Sequence, residues 1–380
     1  MIEAESRQNA GSRAQQVGVT AGFCLVAAIA YLSRNCLGVF VADPSFQAEL
    51  GATEKELGVV MSAFFFSYAF FQIPAGWLGQ RFGTRTVLTV SDWLPAHRRA
   101  ISCGFMAACM SIGGAVASGL TGKLAGGGMS WQTIVMLYSI PGIVWGVSFG
   151  FLFRDRPQPQ TTERENSSSN DGPSESPKID WHRLLTSRVL WFVNGQQFFR
   201  AAGYIFYATW FPKYLREVHH VSLPGAGLLA SLPLIAVVAG SSLGGILNDV
   251  LLERTGSRTI ARKYVAVICL TACGLLTLSA MWMQSISAAM TLITCSSFLA
   301  AIAGPCSYAQ TIDLAGKDVP VVFGIMNMAG NFGAALCPIA VSHLTDFLGS
   351  WELLLIFFCG IYLAAALCWV FLDAEATIDG

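Results

Sequence analysis

The sequence predicts an all-α integral membrane protein made of two helical bundles. Three observations carry this expectation. Of 380 residues, 54% are hydrophobic and only 12% charged, whereas a soluble domain carries roughly 25% charged residues. The charge is gathered between apolar runs of about 20 residues, the length that crosses ~30 Å of hydrocarbon. A motif also recurs after two of these runs: once as Gly76-Trp77-Leu78-Gly79-Gln80-Arg81-Phe82-Gly83-Thr84-Arg85, and again from Gly245-Ile246-Leu247-Asn248-Asp249 to Arg254-Thr255-Gly256-Ser257-Arg258.

Ten spans follow from the hydropathy pattern: 18–42, 57–78, 100–122, 131–153, 189–211, 225–247, 264–283, 286–310, 320–342 and 353–372. The first contains Ala28-Ile29-Ala30, with the small-residue spacing of a leader cleavage site, but its apolar run continues to Ala42 and is read as a retained helix. The second runs into the first motif. Gly113-Gly114 in the third, Gly240 to Gly245 in the sixth and Gly330 to Gly333 in the ninth suit close helix approach. Residues 154–188 are rich in Pro, Ser, Asn and Glu, which bury too little apolar surface to order themselves. They read as a linker, largely disordered to about Ile179, with a short interfacial helix starting near Asp180-Trp181-His182-Arg183. The expected organisation is an N-terminal bundle over 1–153, the linker over 154–188 and a C-terminal six-helix bundle over 189–380.

Charge sets the expected orientation. With both termini in the cytoplasm, most of the 23 lysines and arginines fall on the inner side, and the outer segments keep only Lys55, Lys123, Lys213 and Arg216. That is the positive-inside pattern. All 11 cysteines lie within spans, and Cys269 and Cys273 one turn apart read as packing residues. Neither they nor the five histidines show ligand spacing. His219-His220 reads as a solvated pair in an outer loop. No cofactor, metal or enzymatic nucleophile–base pair is expected.

Four spans precede the linker and six follow it. The first set runs from residue 18 to 153, 136 residues, and the second from 189 to 372, 184 residues, a difference of 48. This equals two helices of ~20 residues with a turn. A loss of two helices also keeps the charge pattern in phase, as a loss of one would not. The expected join lies near Val90-Ser91.

Two charges fall inside spans. Arg34 near mid-membrane costs roughly 2.5–3.5 kcal/mol on insertion scales, so it needs a partner or a wet cavity. Tyr31 lies three residues earlier on the same face. A planar, permanently charged fork suits a carboxylate or phosphate; the alternative is an arginine bonded to helix carbonyls or reaching an interface. Arg200 shares a helical stripe with Gln197, Tyr204 and Tyr207, which marks either a second cavity-lining anchor or an interhelical hydrogen-bond cluster. Tyr68 with Gln72, and Asn327 with Asn331, are one turn apart, and each pair suits either substrate hydroxyls or helix joining. No Asp or Glu lies inside any span.

These features together resemble the major facilitator superfamily, whose members have two six-helix halves, a central cytoplasmic linker and a Gly-x-Leu-x-Asp/Gln-Arg-type motif after the second helix of each half. Ser62-Ala63-Phe64-Phe65, Tyr68, Gln72-Ile73-Pro74-Ala75-Gly76, Trp210-Phe211-Pro212-Lys213-Tyr214-Leu215 and Gly324 to Gly333 with Pro338 resemble its anion:cation symporter family in particular. That family includes sialin, the vesicular glutamate transporters and bacterial hexuronate and galactonate transporters. The resemblance implies a fold of ten helices, an incomplete six-plus-six lacking the third and fourth. Ser91 to Ser102 resembles the loop after the family's fourth helix, directly after the first motif.

The resemblance implies a secondary active transporter of small organic anions, a sugar acid or another carboxylate, working by alternating access in the cell membrane. Arg34 would bind the anion, and the coupling cation, H⁺ or Na⁺, stays unassigned. Proton-coupled members often have Asp before this arginine, where this chain has Ser33, and an Asn two positions after it, where this chain has Cys36. The resemblance also implies a cytoplasmic gate at Arg81, Arg85, Asp249, Arg254 and Arg258, weakened in the first copy because Gln80 replaces the usual Asp. The alternatives are a non-transporting membrane protein, such as a sensor or degenerate paralogue, and a ten-helix transporter that dimerises.

Overall fold

The computed structural model describes residues 2–81, 96–152, 181–315, 319–348 and 350–376. The helices are α1 Ile2–Val41, α2 Pro44–Leu50, α3 Glu54–Arg81, α4 Ala96–Gly126, α5 Trp131–Leu152, α6 Trp181–Thr186, α7 Arg188–Ala208, α8 Phe211–His219, α9 Leu223–Thr255, α10 Val265–Ser279, α11 Ile286–Ala315, α12 Val319–Leu348 and α13 Glu352–Phe371. A π-helical turn, Thr259–Tyr264, leads into α10. Among the described residues, ten long helical runs coincide with the ten expected spans, and α6 begins where the short interfacial helix was expected. Residues 153–180, which hold most of the expected linker, lie outside the described residues, as does the expected join at Val90-Ser91.

Among the described residues, six segments are both long and apolar enough to cross a membrane: Cys24–Val41, Leu223–Thr255, Thr259–Trp282, Ile286–Ala315, Val321–Phe347 and Leu353–Phe371. The long helix α7 is not among them. For α7 the reason is plain, because it carries Gln196, Gln197, Arg200, Tyr204 and Tyr207.

Local sequence explains the helix ends. Thr53 and Glu56 form a reciprocal capping box at the start of α3: the Glu56 carboxylate accepts from the Thr53 backbone N–H at 2.7 Å, and Thr53 Oγ1 accepts from the Glu56 N–H at 3.3 Å. Ser187 and Ser222 cap α7 and α9. Helix α9 runs on to Thr255 and stops at Gly256, whose φ of 64° is left-handed. The expected sixth span ends at 247; the motif stretch from there to Thr255 is helical as well, with Val250, Leu251 and Leu252 extending the apolar run. Likewise Gly76 to Arg81 belong to α3.

Two large helix pairs join the elements before the linker region to those after it, α4 with α9 and α3 with α12, and α1 adds lighter contacts to α8 and α9. Helix α1 packs on α4 and, more lightly, on α5. After the linker region, α7 packs on α12 and α13, α9 on α11, and α10 on α11 and α13. Helix α3 forms no packing seam with α1, α4 or α5 among the described residues. Its neighbour is α12, where Phe66 and Phe70 both meet Phe332 edge-on.

The α4–α9 crossing depends on two glycines. A Cβ on Gly227 would sit 2.4 Å from the Ser118 carbonyl oxygen and 2.9 Å from Gly122 Cα. Backbone cannot yield as a flexible side chain does, and overpacking of this kind typically costs about 1–3 kcal/mol. Gly227→Val is thus expected to lower the thermal unfolding temperature of detergent-solubilised protein. Val at Gly119, where a Cβ meets nothing within 4 Å, is expected to leave it near wild type.

Candidate functional site

The site is built where α1, α3, α4, α7 and α11 converge. Arg34 on α1 is half-buried, and its guanidinium lies over three rings: Tyr31 at 4.6 Å, Phe65 at 4.4 Å and Phe64 at 5.0 Å from the ring centroids. Such contacts stabilise a cation by about 0.5–2 kcal/mol each. No carboxylate pairs with Arg34 among the described residues, and its Nε is buried without a hydrogen-bond partner. Ser33, at the position where the resemblance leads one to look for an acid, donates to the Ile29 carbonyl at 3.2 Å.

Helix α7 supplies the second cation. Arg200 Nη2 donates to Gln197 Oε1 at 2.8 Å, and its Cζ lies 6.0 Å from the Tyr308 ring of α11. Its Nε, too, is buried and unpartnered. The guanidinium lies against α11 at Gly304, where a Cβ would make ordinary contact with Nη1 at 3.5 Å. Neighbouring Gln196 is fully buried and spent on structure: its amide donates to the Val193 carbonyl and to Ser307 Oγ.

Tyr204 links the two cations. It lies within electrostatic reach of Tyr31 and Arg34 on one side and Tyr308 on the other, near Ser111 of α4. Tyr204 and Arg200 line a cavity of about 30 Å³ with Tyr207, Ser241, Ser297 and Tyr362. That volume admits about one water, so in this conformation the site is nearly shut.

The other expected residues are distributed unevenly. Tyr68 is half exposed and stacks on Phe64 at 6.1 Å, which ties it to Arg34 through one ring. Gln72 is half-buried on the same helix. Asn331 donates its amide to the Asn327 carbonyl at 2.8 Å, a bond within α12. No described contact joins Asn327 or Asn331 to either arginine. Tyr207 is buried against Phe206 and Phe211.

The expected gate residues do not assemble into one latch among the described residues. Asp249 and Arg254 are exposed and form no ion pair there. Arg258 Nε pairs with Asp313 at 3.2 Å, and Arg262 pairs with the same carboxylate. Both contacts join α11 to the turn before α10, so they brace the helices after the linker region internally. The Arg81 side chain and all of Arg85 lie outside the described residues. His219 departs from expectation: its ring packs on Tyr214 at 5.6 Å and its Nε2 is buried without a partner. Burial, and then the adjacent His220, hold its pKa below the usual histidine value. His220 takes φ 52° and ends α8.

Sequence reasoning missed Tyr308, Phe64 and Phe65 as ring partners of the arginines. It also missed Asp313, whose position three residues past an expected span was the available signal.

Helices of this length and apolarity, arranged around two half-buried guanidiniums that have no acid partner among the described residues, fit a polytopic membrane protein. The Major Facilitator Superfamily model matches residues 23–91, 88–260 and 197–379, and the chain belongs to that superfamily. A probable sulfoacetate transporter of Cupriavidus necator is 25% identical over 406 residues, covering 94% of this chain and 93% of that protein. A probable galactarate/D-glucarate transporter of Bacillus subtilis is 26% identical, covering 92% and 90%. The hexuronate transporter of the same organism is 24% identical, covering 86% and 87%. These relatives fit the anion:cation symporter resemblance and are transporters, not enzymes. Among solved structures, a D-xylose-proton symporter matches with a TM-score of 0.64 at 14% identity, covering 94% of this chain and 98% of that one. A bacterial homolog of the human lysosomal transporter Spinster matches at 0.59 and 14%, covering 95% of each. Both show the fold.

Gln197→Leu removes the Arg200 acceptor and strands a buried charged donor, which costs about 1–3 kcal/mol. The expected result is a lower unfolding temperature in detergent, with Gln197→Glu, which restores an acceptor, at or above wild type.

Proposed function

We propose that this chain binds small organic anions, sugar acids or related carboxylates and sulfonates, and moves them across the cell membrane by alternating access, with both termini cytoplasmic. One observation carries the reading. A guanidinium from α1 and another from α7 both keep a buried, unpartnered Nε near Tyr204, with no acid to neutralise either among the described residues. An unneutralised cation in hydrocarbon is costly; an anionic ligand supplies what is missing. The names of the relatives support the substrate class. On this reading Gln197 and Tyr204 would orient the ligand; Tyr31, in the Arg34 cage, and Tyr68, stacked on one of its rings, would contact part of it, with Gln72 one turn further along α3. Asn327 and Asn331 are the outlying members of the set. The coupling cation, H⁺ or Na⁺, has no assigned carrier.

The reading includes a missing helix pair. The family match breaks at residues 88–91, at the expected join. The alignment with the sulfoacetate transporter is 406 positions long yet covers 94% of 380 residues, about 357, so about 49 positions lack a counterpart in this chain. Helix α3 without a seam to α1, α4 or α5 is the packing counterpart of that deficit. Transport by this form is therefore impaired. A non-transporting paralogue is the second reading, favoured by the same absent seam.

Uptake of labelled galactarate and sulfoacetate into proteoliposomes tests both. Wild type is expected to be slow but above background, and Arg34→Ala at background. Inserting a relative's 48-residue hairpin between Val90 and Ser91 is expected to raise uptake at least tenfold. Equal background uptake by folded wild type, Arg34→Ala and the hairpin-restored form would sink the transporter reading.

A further inference from the structure

At the end of the molecule away from the linker region, the two sides of the fold are tied by charge. Lys213 on α8 is 3% exposed, an unusual state for a lysine. Its ammonium is paired with Glu54 at the start of α3 and lies 3.5 Å from Glu217. The same ammonium lies 5.6 Å from the Trp210 ring centroid. Trp210 is fully buried and donates through its indole N–H to the Pro338 carbonyl of α12 at 3.2 Å. Glu217 in turn accepts from Trp351 at 2.6 Å. Arg216, one helical face away, donates to the Ala42 carbonyl at the end of α1. Short α8 thus ties α1, α3 and, through Trp210 and Glu217, α12 and the start of α13.

The surroundings make this more than a surface ion pair. A half-open vestibule of about 480 Å³ lies over the cluster, lined by Glu54, Glu217, Thr345, Asp346, Ser350 and Trp351. Close backbone approaches fall at the same end: Gly122 on Gly227, Gly126 on Pro224, Gly58 on Pro338 and Ser342, and Gly38 on Ala208. The exposed pair Lys55–Asp346, at 2.6 Å, adds a solvent-screened contact between α3 and α12. Below this end lies the nearly closed cavity at Arg200.

We propose that Lys213 is the lock of a gate at this end. Its buried pair with Glu54 holds α3 under α8, and the pair must part before an anion can pass between the vestibule and the arginines. The proposal rests on the transport reading for its consequence, but the lock itself is a property of the fold. A buried cation that loses one partner is left uncompensated, so breaking the pair loosens the end rather than leaving it neutral.

Two measurements test it. Hydrogen exchange compares wild type with Lys213→Met, which keeps the stem's volume, with Glu54→Gln, and with the double variant. At least tenfold faster exchange is expected in α8 and the first turns of α3, with the middle of α11 unchanged. The double variant is expected to exchange no faster than the faster single one, because both remove one interaction. Wild-type exchange in Lys213→Met, or additive effects in the double variant, would overturn the lock. In proteoliposomes, Glu54→Cys with Lys213→Cys is oxidised by copper phenanthroline, which takes two electrons as two thiols lose their protons and join. Uptake is expected to fall below a tenth of the reduced form's and to return with dithiothreitol, with each single variant unaffected. Undiminished uptake by the cross-linked protein overturns the gate. Absence of uptake in every form, reduced wild type included, counts against the transport reading, while the exchange result still decides the lock.

Discussion

The structure depends on how a permanent charge is kept in hydrocarbon. Among the described residues Arg34 has no carboxylate beside it, and aromatic faces surround a guanidinium whose buried Nε has no partner. Rings lower the cost of the charge without neutralising it. Arg200 is handled differently, with a glutamine acceptor in place of a cage. Neither arrangement uses an acid among the described residues, and this is the chemical basis of the proposed anion site.

The polar stripe of α7 shows why the sequence revealed this centre only in part. Period and residue type place Gln197, Arg200, Tyr204 and Tyr207 on one helix, but not which of them turn inward together. Tyr207 became core, and Gln196, just off the stripe, became an interhelical hydrogen-bond donor. Ring partners from α3 and α11 were illegible for a different reason. Phe64, Phe65 and Tyr308 sit in runs whose hydropathy reads as lipid-facing, and only tertiary packing selects which ring meets a cation. The spans themselves were legible because membrane length and backbone satisfaction leave so few options. The expected sixth span stops at 247 because charge begins at Asp249, whereas α9 carries the motif stretch past its apolar core and ends at Gly256.

Helix α3 presents the sharpest mismatch between likeness and packing. It carries family-like residues throughout, yet its neighbour is α12, and α1 meets it chiefly through the Arg34 cage. The proposed absence of a helix pair near Val90-Ser91 would account for this, because it would remove the elements expected to tie α3 to its own side. What α3 does have is Phe332 of α12 against Phe66 and Phe70, the close approach of its Gly58 to Pro338 and Ser342, and the Glu54–Lys213 pair at the far end.

That arrangement changes what would have to move. In a rocking mechanism the moving unit is whatever is packed more strongly to itself than to its surroundings. Here α3 is joined to the helices after the linker region by a buried ion pair and an aromatic seam, and to α1 by one arginine. The Arg34 side chain, not a helix seam, then becomes the contact across which relative motion is felt. An anion bound at Arg34 would compete with the very rings that attach α1 to α3. On the proposed function, ligand binding and helix attachment would draw on the same guanidinium, and occupancy of the site would be coupled to the α1–α3 joint.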